Sequence, residues 1–399
     1  MKKYALLSLL VSSVVSAQTV HFNLKAEIFD DGQKITALEL ETHNLKIDRQ
    51  KLDKSSFNVF VKGSLPIDPK ENKVFGQIAG ERAIKKAFIN KNGNIELVFA
   101  DLTNGNTLAY VGGDISRNVL QKLDYEVQLN TESVFPKNTT FQQNEGIQDA
   151  EAANFTAKTA HNGLNYQFFS PQNINKPRPL IVWLHGNGEG GVKEYQNNLS
   201  PILANRVGVA FTTPETQRIF GGAYVVVPQV PDTWYNNYKN GYLVQVKELI
   251  EEIATQNQID RNRIYLFGAS AGGYMATRML IEYPQLFAAV SVSAPALDRA
   301  AAVSDIHTTE AELLSIKDKP FWLVHSVNDP TIAYTKTSKR VFQALRDYGA
   351  ILTVYPEVKI GRTEYNGHWS WIYSLRNMPK NPQGESLFEW AAKQRLNQE

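Results

Sequence analysis

The chain has 399 residues, 42 lysines and arginines against 40 aspartates and glutamates, and no cysteine. A balance this close to neutral gives no sign of nucleic acid or an anionic membrane as partner. Without cysteine, neither a disulfide framework nor an amino-terminal lipid anchor is available.

Lys2 and Lys3 precede an apolar run from Ala5 to Val15, and Val15, Ser16 and Ala17 are small residues ahead of Gln18. The run is too short to span a bilayer and reads as a signal peptide over residues 1–17, so the protein is expected to be secreted or periplasmic, with no membrane anchor. Cleavage removes Lys2 and Lys3, leaving 40 basic residues against 40 acidic ones.

From Val20 to Asn130 the texture is that of short strands. The runs Ile35 to Leu40, Phe57 to Val61, Ile95 to Phe99 and Leu123 to Val127 mix apolar and polar positions between Asp, Asn and Gly turns, and Asn92-Gly93 is a hairpin signal. This pattern predicts an antiparallel sandwich over residues 18–135. The stretch 136–154, rich in Asn, Gln, Thr and Glu, reads as a linker.

Beyond residue 155 the pattern changes to alternating strands and helices. Strands are expected at Tyr166 to Phe169, Leu180 to Leu184, Val209 to Thr212 and Val225 to Val227, with a helix near Leu243 to Gln256. Further strands at Ile264 to Phe267, Phe287 to Ser293, Phe321 to Val324 and Ile351 to Tyr355 continue the alternation. The expectation for 155–399 is an α/β domain with a mostly parallel sheet covered by helices on both faces.

The segment Ile264 to Gly273, IYLFGASAGG, is the most informative. A buried strand runs into Gly268, Ala269, Ser270, Ala271 and Gly272, a GxSxG turn so tight that small residues are needed on either side of the serine. The helix after it is expected from Ala271 to Glu282, stopping before Pro284. Ser270 is therefore the candidate nucleophile.

A serine nucleophile on this scaffold needs an acid and then a histidine later in the chain. Asp329 follows the strand at Phe321 and is the candidate acid, with Asp298 and Asp305 as weaker rivals. His368, in the polar loop Asn366-Gly367-His368-Trp369, is the candidate base; His325 competes but precedes the acid. For the oxyanion hole, the glycine-rich loop His185 to Gly191 follows another buried strand. One donor is expected from the Ala271 N–H and another from Asn187 or Gly188. His185 is expected to anchor that loop. Trp234, Trp369 and Trp371 lie near the site loops, either packed beneath them or forming a wall for an acyl or aryl group.

With these pieces assembled, the chain resembles secreted α/β-hydrolases of the esterase and predicted-peptidase group related to poly(3-hydroxybutyrate) depolymerases, feruloyl esterases and the prolyl oligopeptidase superfamily. The resemblance is carried by LHGNGEGG (Leu184 to Gly191), VVVPQVPDTW (Val225 to Trp234), IDRNRIYLFGASAGGYMATRM (Ile259 to Met279), FAAVSVSAPA (Phe287 to Ala296), LVHSVNDPTI (Leu323 to Ile332) and NGHWSW (Asn366 to Trp371). It implies Ser270 as nucleophile, Asp329 and His368 as its partners, and the loop Gly186 to Gly188 in the oxyanion hole. Ala271 departs from the pattern, standing where many relatives carry Met or Gln. The front segment resembles the immunoglobulin-like domain found in some secreted esterases of this group, without the immunoglobulin cysteine pair. The expected function is cleavage of a small-molecule or polymeric ester through an acyl-enzyme, with no metal or organic cofactor. A peptidase on the same machinery is the alternative, and a non-catalytic binding or adhesion protein is a more distant one.

Overall fold

The computed structural model describes residues 18–396, apart from 46, 131–133, 193–194 and 196–197. The expected signal peptide lies outside the described residues.

Eleven strands come first, taken among the described residues: β1 (Thr19–Phe29), β2 (Gly32–Leu40), β3 (Phe57–Ser64), β4 (Val74–Phe75), β5 (Ala79–Glu81), β6 (Ile84–Ile89), β7 (Ile95–Phe99), β8 (Leu108–Val111), β9 (Arg117–Leu120), β10 (Lys122–Leu129) and β11 (Thr140–Gln148). Alternate residues of β1, namely Val20, Phe22, Leu24, Ala26 and Ile28, are buried, as are Leu123, Tyr125 and Val127 of β10. A period of two places them on one face of each strand. A sheet ordered β11-β1-β2-β7-β6 therefore meets a second, β10-β3-β5, across a shared apolar core. The small sheet β4-β8-β9 completes this all-β region. Asn92-Gly93 lies between the antiparallel strands β6 and β7, with Gly93 at φ +82°.

Two expectations are corrected here. The segment 136–154 is no free linker: β11 pairs in parallel with β1 from Thr140 to Gln148, which also departs from a purely antiparallel sandwich. Its polar composition belongs to an edge strand, with Asn144 Nδ2 donating to Asn23 and Glu41. Val209–Thr212 forms a short helix instead of a strand. Gly208 at φ +78° turns the chain there, and Val209, Ala210 and Phe211 bury themselves against the neighbouring sheet.

Among the described residues the remaining chain is built on an eight-stranded sheet of β12 (Thr156–Thr159), β13 (Asn165–Phe169), β14 (Arg178–Leu184), β15 (Tyr224–Gln229), β16 (Ile259–Ala269), β17 (Ala289–Ser293), β18 (Phe321–Ser326) and β19 (Ile351–Tyr355), with a separate hairpin at Val358–Ile360 and Thr363–Tyr365. Their spatial order is β12-β13-β15-β14-β16-β17-β18-β19. The pairs β12/β13 and β13/β15 are antiparallel; every later pair is parallel. Side chains of β14 are buried on both faces and divide between two apolar cores, Leu180, Val182 and Leu184 on one side and Ile181 and Trp183 on the other. The first core also takes the helices Tyr242–Gln256 and Ala271–Glu282. This double burial is what turns strands into uninterrupted apolar runs.

Candidate active site

The site forms where β14, β16 and β18 end, on the carboxyl edge of the parallel sheet, which is where open α/β sheets bind ligands. Ser270 follows the last residue of β16 and precedes the helix Ala271–Glu282. Its φ of 53° and ψ of −119° put a non-glycine residue in a strained conformation. Its N–H donates to Ser293 O at 2.9 Å and its carbonyl accepts from Tyr274 and Ala296 N–H, so the turn is fixed on both sides. The flanking glycines are required by close approach. A Cβ on Gly268 would stand 2.4 Å from Gly272 O, and one on Gly272 would stand 2.0 Å from Leu184 O.

His368 Nε2 lies 2.9 Å from Ser270 Oγ, and His368 Nδ1 lies 2.8 Å from Asp329 Oδ2. The three side chains predicted from 98 and 39 residues of separation thus meet in one hydrogen-bonded chain. Asp329 is held from all sides. Oδ1 accepts the N–H groups of Thr331 and Ile332 at 2.8 and 2.9 Å, and Oδ2 also receives His325 Nε2 at 3.0 Å. Burial pushes the Asp329 carboxyl up, but the hydrogen bonds from His325, His368 and Ile332 and the nearby His368 charge outweigh it and hold the carboxyl well below the ordinary range.

Sequence alone makes His325 no more than a rival base. In the structure it is fully buried behind Asp329, with Nε2–H shared between Asp329 and Ile332 O at 3.2 Å while Nδ1 accepts from Ser338 Oγ at 2.8 Å. Accepting at Nδ1 and donating at Nε2 fixes one neutral tautomer. The spacing of four between His325 and Asp329 at a strand end was the available signal. The rival acids take no part in this chain of bonds: Asp305 pairs with His307 on the surface and Asp298 accepts the N–H of Arg299.

The glycine-rich loop after β14 lies beside Ser270, since a Cβ on Gly186 would stand 3.9 Å from Ser270 Cβ. His185 is buried, donates from Nδ1 to Gly186 O at 2.6 Å, and accepts at Nε2 from Val230 N–H at 3.4 Å. Burial lowers its pKa to about 3, so it is neutral at ordinary pH and works as a peg for the loop. Asn187 Oδ1 accepts from Thr233 Oγ1 at 2.7 Å, leaving its backbone to the loop.

One aromatic expectation is corrected. Trp234 is 0% exposed, packs 4.9 Å from the His185 ring and donates Nε1–H to His185 O at 2.9 Å; it supports the loop from below and cannot line a substrate pocket. Trp371 stands edge-on to His368 at 5.2 Å, with Trp369 a further 6.4 Å away, and both are half-buried. A separate cleft of about 810 Å³, lined by Asp30, Arg206, Tyr365 and Arg376 among others, contains none of Ser270, Asp329 or His368.

Comparisons with known proteins agree with this architecture. A crystal structure of a thermostable esterase superposes with a TM-score of 0.73 at 25% identity, covering 94% of this chain and 99% of the other. This chain is an α/β-hydrolase. Residues 231–319 of the hydrolase match the model of the prolyl oligopeptidase family, a segment that includes Ser270. Poly(3-hydroxyalkanoate) depolymerase C of Paucimonas lemoignei is 27% identical over 138 residues, 31% of this chain and 30% of that protein. The alignment thus spans under a third of that curated relative. Among the described residues no helix is long and apolar enough to cross a membrane.

Proposed function

We propose that this α/β-hydrolase is a serine esterase working through an acyl-enzyme. The observation that carries the reading is the continuous chain from Ser270 Oγ through His368 to Asp329. His368 Nε2 takes the Ser270 proton as Oγ attacks the ester carbonyl, and the negative oxygen moves toward the N–H groups of Ala271 and of Asn187 or Gly188. Collapse breaks the bond to the alcohol, which leaves with the proton from His368. Water then attacks the acyl-serine by the same route in reverse, restoring Ser270. Asp329 keeps the Nδ1–H tautomer of His368 in place and steadies the imidazolium.

Trp371 and Trp369 form the wall for the acyl or alcohol group in this reading. The likeness to a depolymerase favours a polymeric ester as substrate beside small ones. We assign the strands up to Gln148 to an immunoglobulin-like sandwich and the chain from 155 onward to the catalytic domain, in a protein exported by its first 17 residues. The prolyl oligopeptidase match supports peptide cleavage as a second reading. Ester is preferred because an alkoxide leaves with less help than an amine.

Two measurements test this. Ser270→Ala should lose on the order of 10⁴-fold in kcat and all labelling by a fluorophosphonate, with the melting temperature nearly unchanged. On paired nitrophenyl esters and nitroanilides sharing one acyl group, kcat/KM for the ester should be higher by at least about 10³. A Ser270→Ala variant keeping a tenth of the activity defeats the nucleophile; equal rates on the two substrates make the protein a peptidase.

A further inference from the structure

The glycine-rich loop beside Ser270 is held by more than its own domain. Strand β9 belongs to the all-β region, yet its first two residues reach this loop. Asn118 Nδ2 donates to Glu189 Oε1 at 2.8 Å. The other Glu189 oxygen, Oε2, lies 2.9 Å from where a Cβ on Gly186 would stand, and the carboxylate also accepts the N–H of Gly186. Arg117, buried as well, donates from Nε to Gly191 O at 3.2 Å and from Nη2 to Asp232 O at 2.7 Å. From the opposite side, Gln229 Nε2 and Ser200 Oγ donate to Glu189 O at 2.8 and 3.0 Å.

The loop is therefore clamped at both ends, Gly186 through Glu189 and Gly191 through Arg117. Between these ends lie Asn187 and Gly188, whose N–H groups would have to point at the developing oxyanion. The fit is close: a Cβ on Gly188 would stand 2.9 Å from Asn118 Nδ2 and 3.8 Å from the Tyr110 ring. Glu189 is also an expensive residue for a mere domain contact, because burial pushes its carboxyl up to about 7 despite the bond from Asn118 and the charge of Arg117.

We propose that Asn118 and Arg117 of the amino-terminal sandwich are positioning residues for the oxyanion loop, acting through Glu189 and Gly191, so that the front region completes the active centre. This rests on the esterase reading above. A donor N–H stabilises the oxyanion only when aimed at it, and its complete loss costs about 10²- to 10³-fold. Losing the aim of the loop from one clamp should cost a part of that.

The test is a swap of hydrogen-bond polarity in the full chain. Asn118→Ala should lower kcat on nitrophenyl acetate about 30-fold with KM within about twofold of wild type. Asn118→Asp, which sets a carboxylate against Glu189, should lower it further. Combining Asn118→Asp with Glu189→Gln should restore kcat to within about threefold, because the introduced amide can donate to the introduced carboxylate while its own oxygen still accepts from Gly186. Melting temperatures of all variants are measured alongside, since a purely structural contact would move stability and leave kcat of the folded fraction unchanged. Asn118→Ala and Asn118→Asp with wild-type kcat overturn the proposal, as does a double variant no better than Asn118→Asp alone. A wild-type protein that neither turns over esters nor takes a fluorophosphonate at Ser270 defeats the esterase reading and this inference together; turnover with an indifferent Asn118 defeats the inference alone.

Discussion

Asp329→Asn makes the sharpest demand on the site. The wild-type carboxylate receives four donors: Thr331 and Ile332 N–H on Oδ1, His368 and His325 on Oδ2. An asparagine offers one oxygen and one NH₂ in that space, so either pair of donors must face the NH₂. With the oxygen left on the backbone pair, the NH₂ meets both imidazoles. His325 can keep its proton on Ile332 O, 3.2 Å away. His368 relieves the clash by moving its proton to Nε2, where it faces Ser270 Oγ and can no longer take the serine proton. The productive tautomer then becomes the minor form, and imidazolium loses its counter-charge. Together these should cost about 10³ to 10⁴ in kcat, or about 4–5.5 kcal/mol in the barrier. The assay is kcat on a nitrophenyl ester near neutral pH, normalised to folded protein, with Asp298→Asn and Asp305→Asn as controls expected to match wild type. An Asp329→Asn variant above a tenth of wild-type kcat, or an equal loss at either control, would refute the reasoning.

Asp329 has a folded-state pKa well below its ordinary 3.8, so its contribution to stability is present above that value and is lost as pH falls below it; the melting-temperature advantage of wild type over Asp329→Asn should narrow once pH drops under about 4. Glu189 has the opposite sign. Its pKa rises from 4.5 to about 7, so folding is penalised progressively from about pH 4.5 to 7 and by a constant amount above. Melting temperatures of Glu189→Gln relative to wild type should therefore climb across that window and level off, and a flat difference from pH 5 to 8 would contradict the buried carboxyl. Gly272→Ala puts a methyl 2.0 Å from Leu184 O and 2.5 Å from His185 O, both backbone atoms. It should destabilise the protein by about 3 kcal/mol or more, read as a lower melting temperature or as loss of soluble protein.

The α/β region was legible in the sequence because its central strands are buried on both faces. Leu180 to Leu184 and Ile264 to Ala269 have no reason to carry a polar residue, and the point where each run breaks into glycine marks the sheet edge where chemistry gathers. The helix Ala271–Glu282 could be bounded for the same reason, between the serine turn and Pro284. Val209–Thr212 misleads because a four-residue run with three apolar side chains carries no periodicity that separates strand from helix. β11 escapes because an edge strand with largely exposed side chains has the composition of a linker. Trp234 belongs to the expected loop, but a sequence does not say which side of a loop an aromatic ring lies on. Asn118 and Glu189 are invisible for a deeper reason: a hydrogen bond across 71 residues joins two types that are common on surfaces, and only the fold reveals that a half-buried Asn118 meets a buried Glu189.

Ile28 and Leu108 sit in the same apolar cluster as Trp183, Phe211 and Phe267. Asp30 meets Arg376, and Arg206 donates both to Ile28 O and to Glu151. Regions connected by a loose tether can be exchanged, duplicated or lost by recombination, each half folding as before. Here a break anywhere between Gln148 and Thr156 would leave oily side chains wet on one fragment and a charged pair divided between the two. The front strands and the hydrolase sheet should then melt as one cooperative unit and be inherited as one, so that any lineage shedding the sandwich would first have to rebuild the surface it covers.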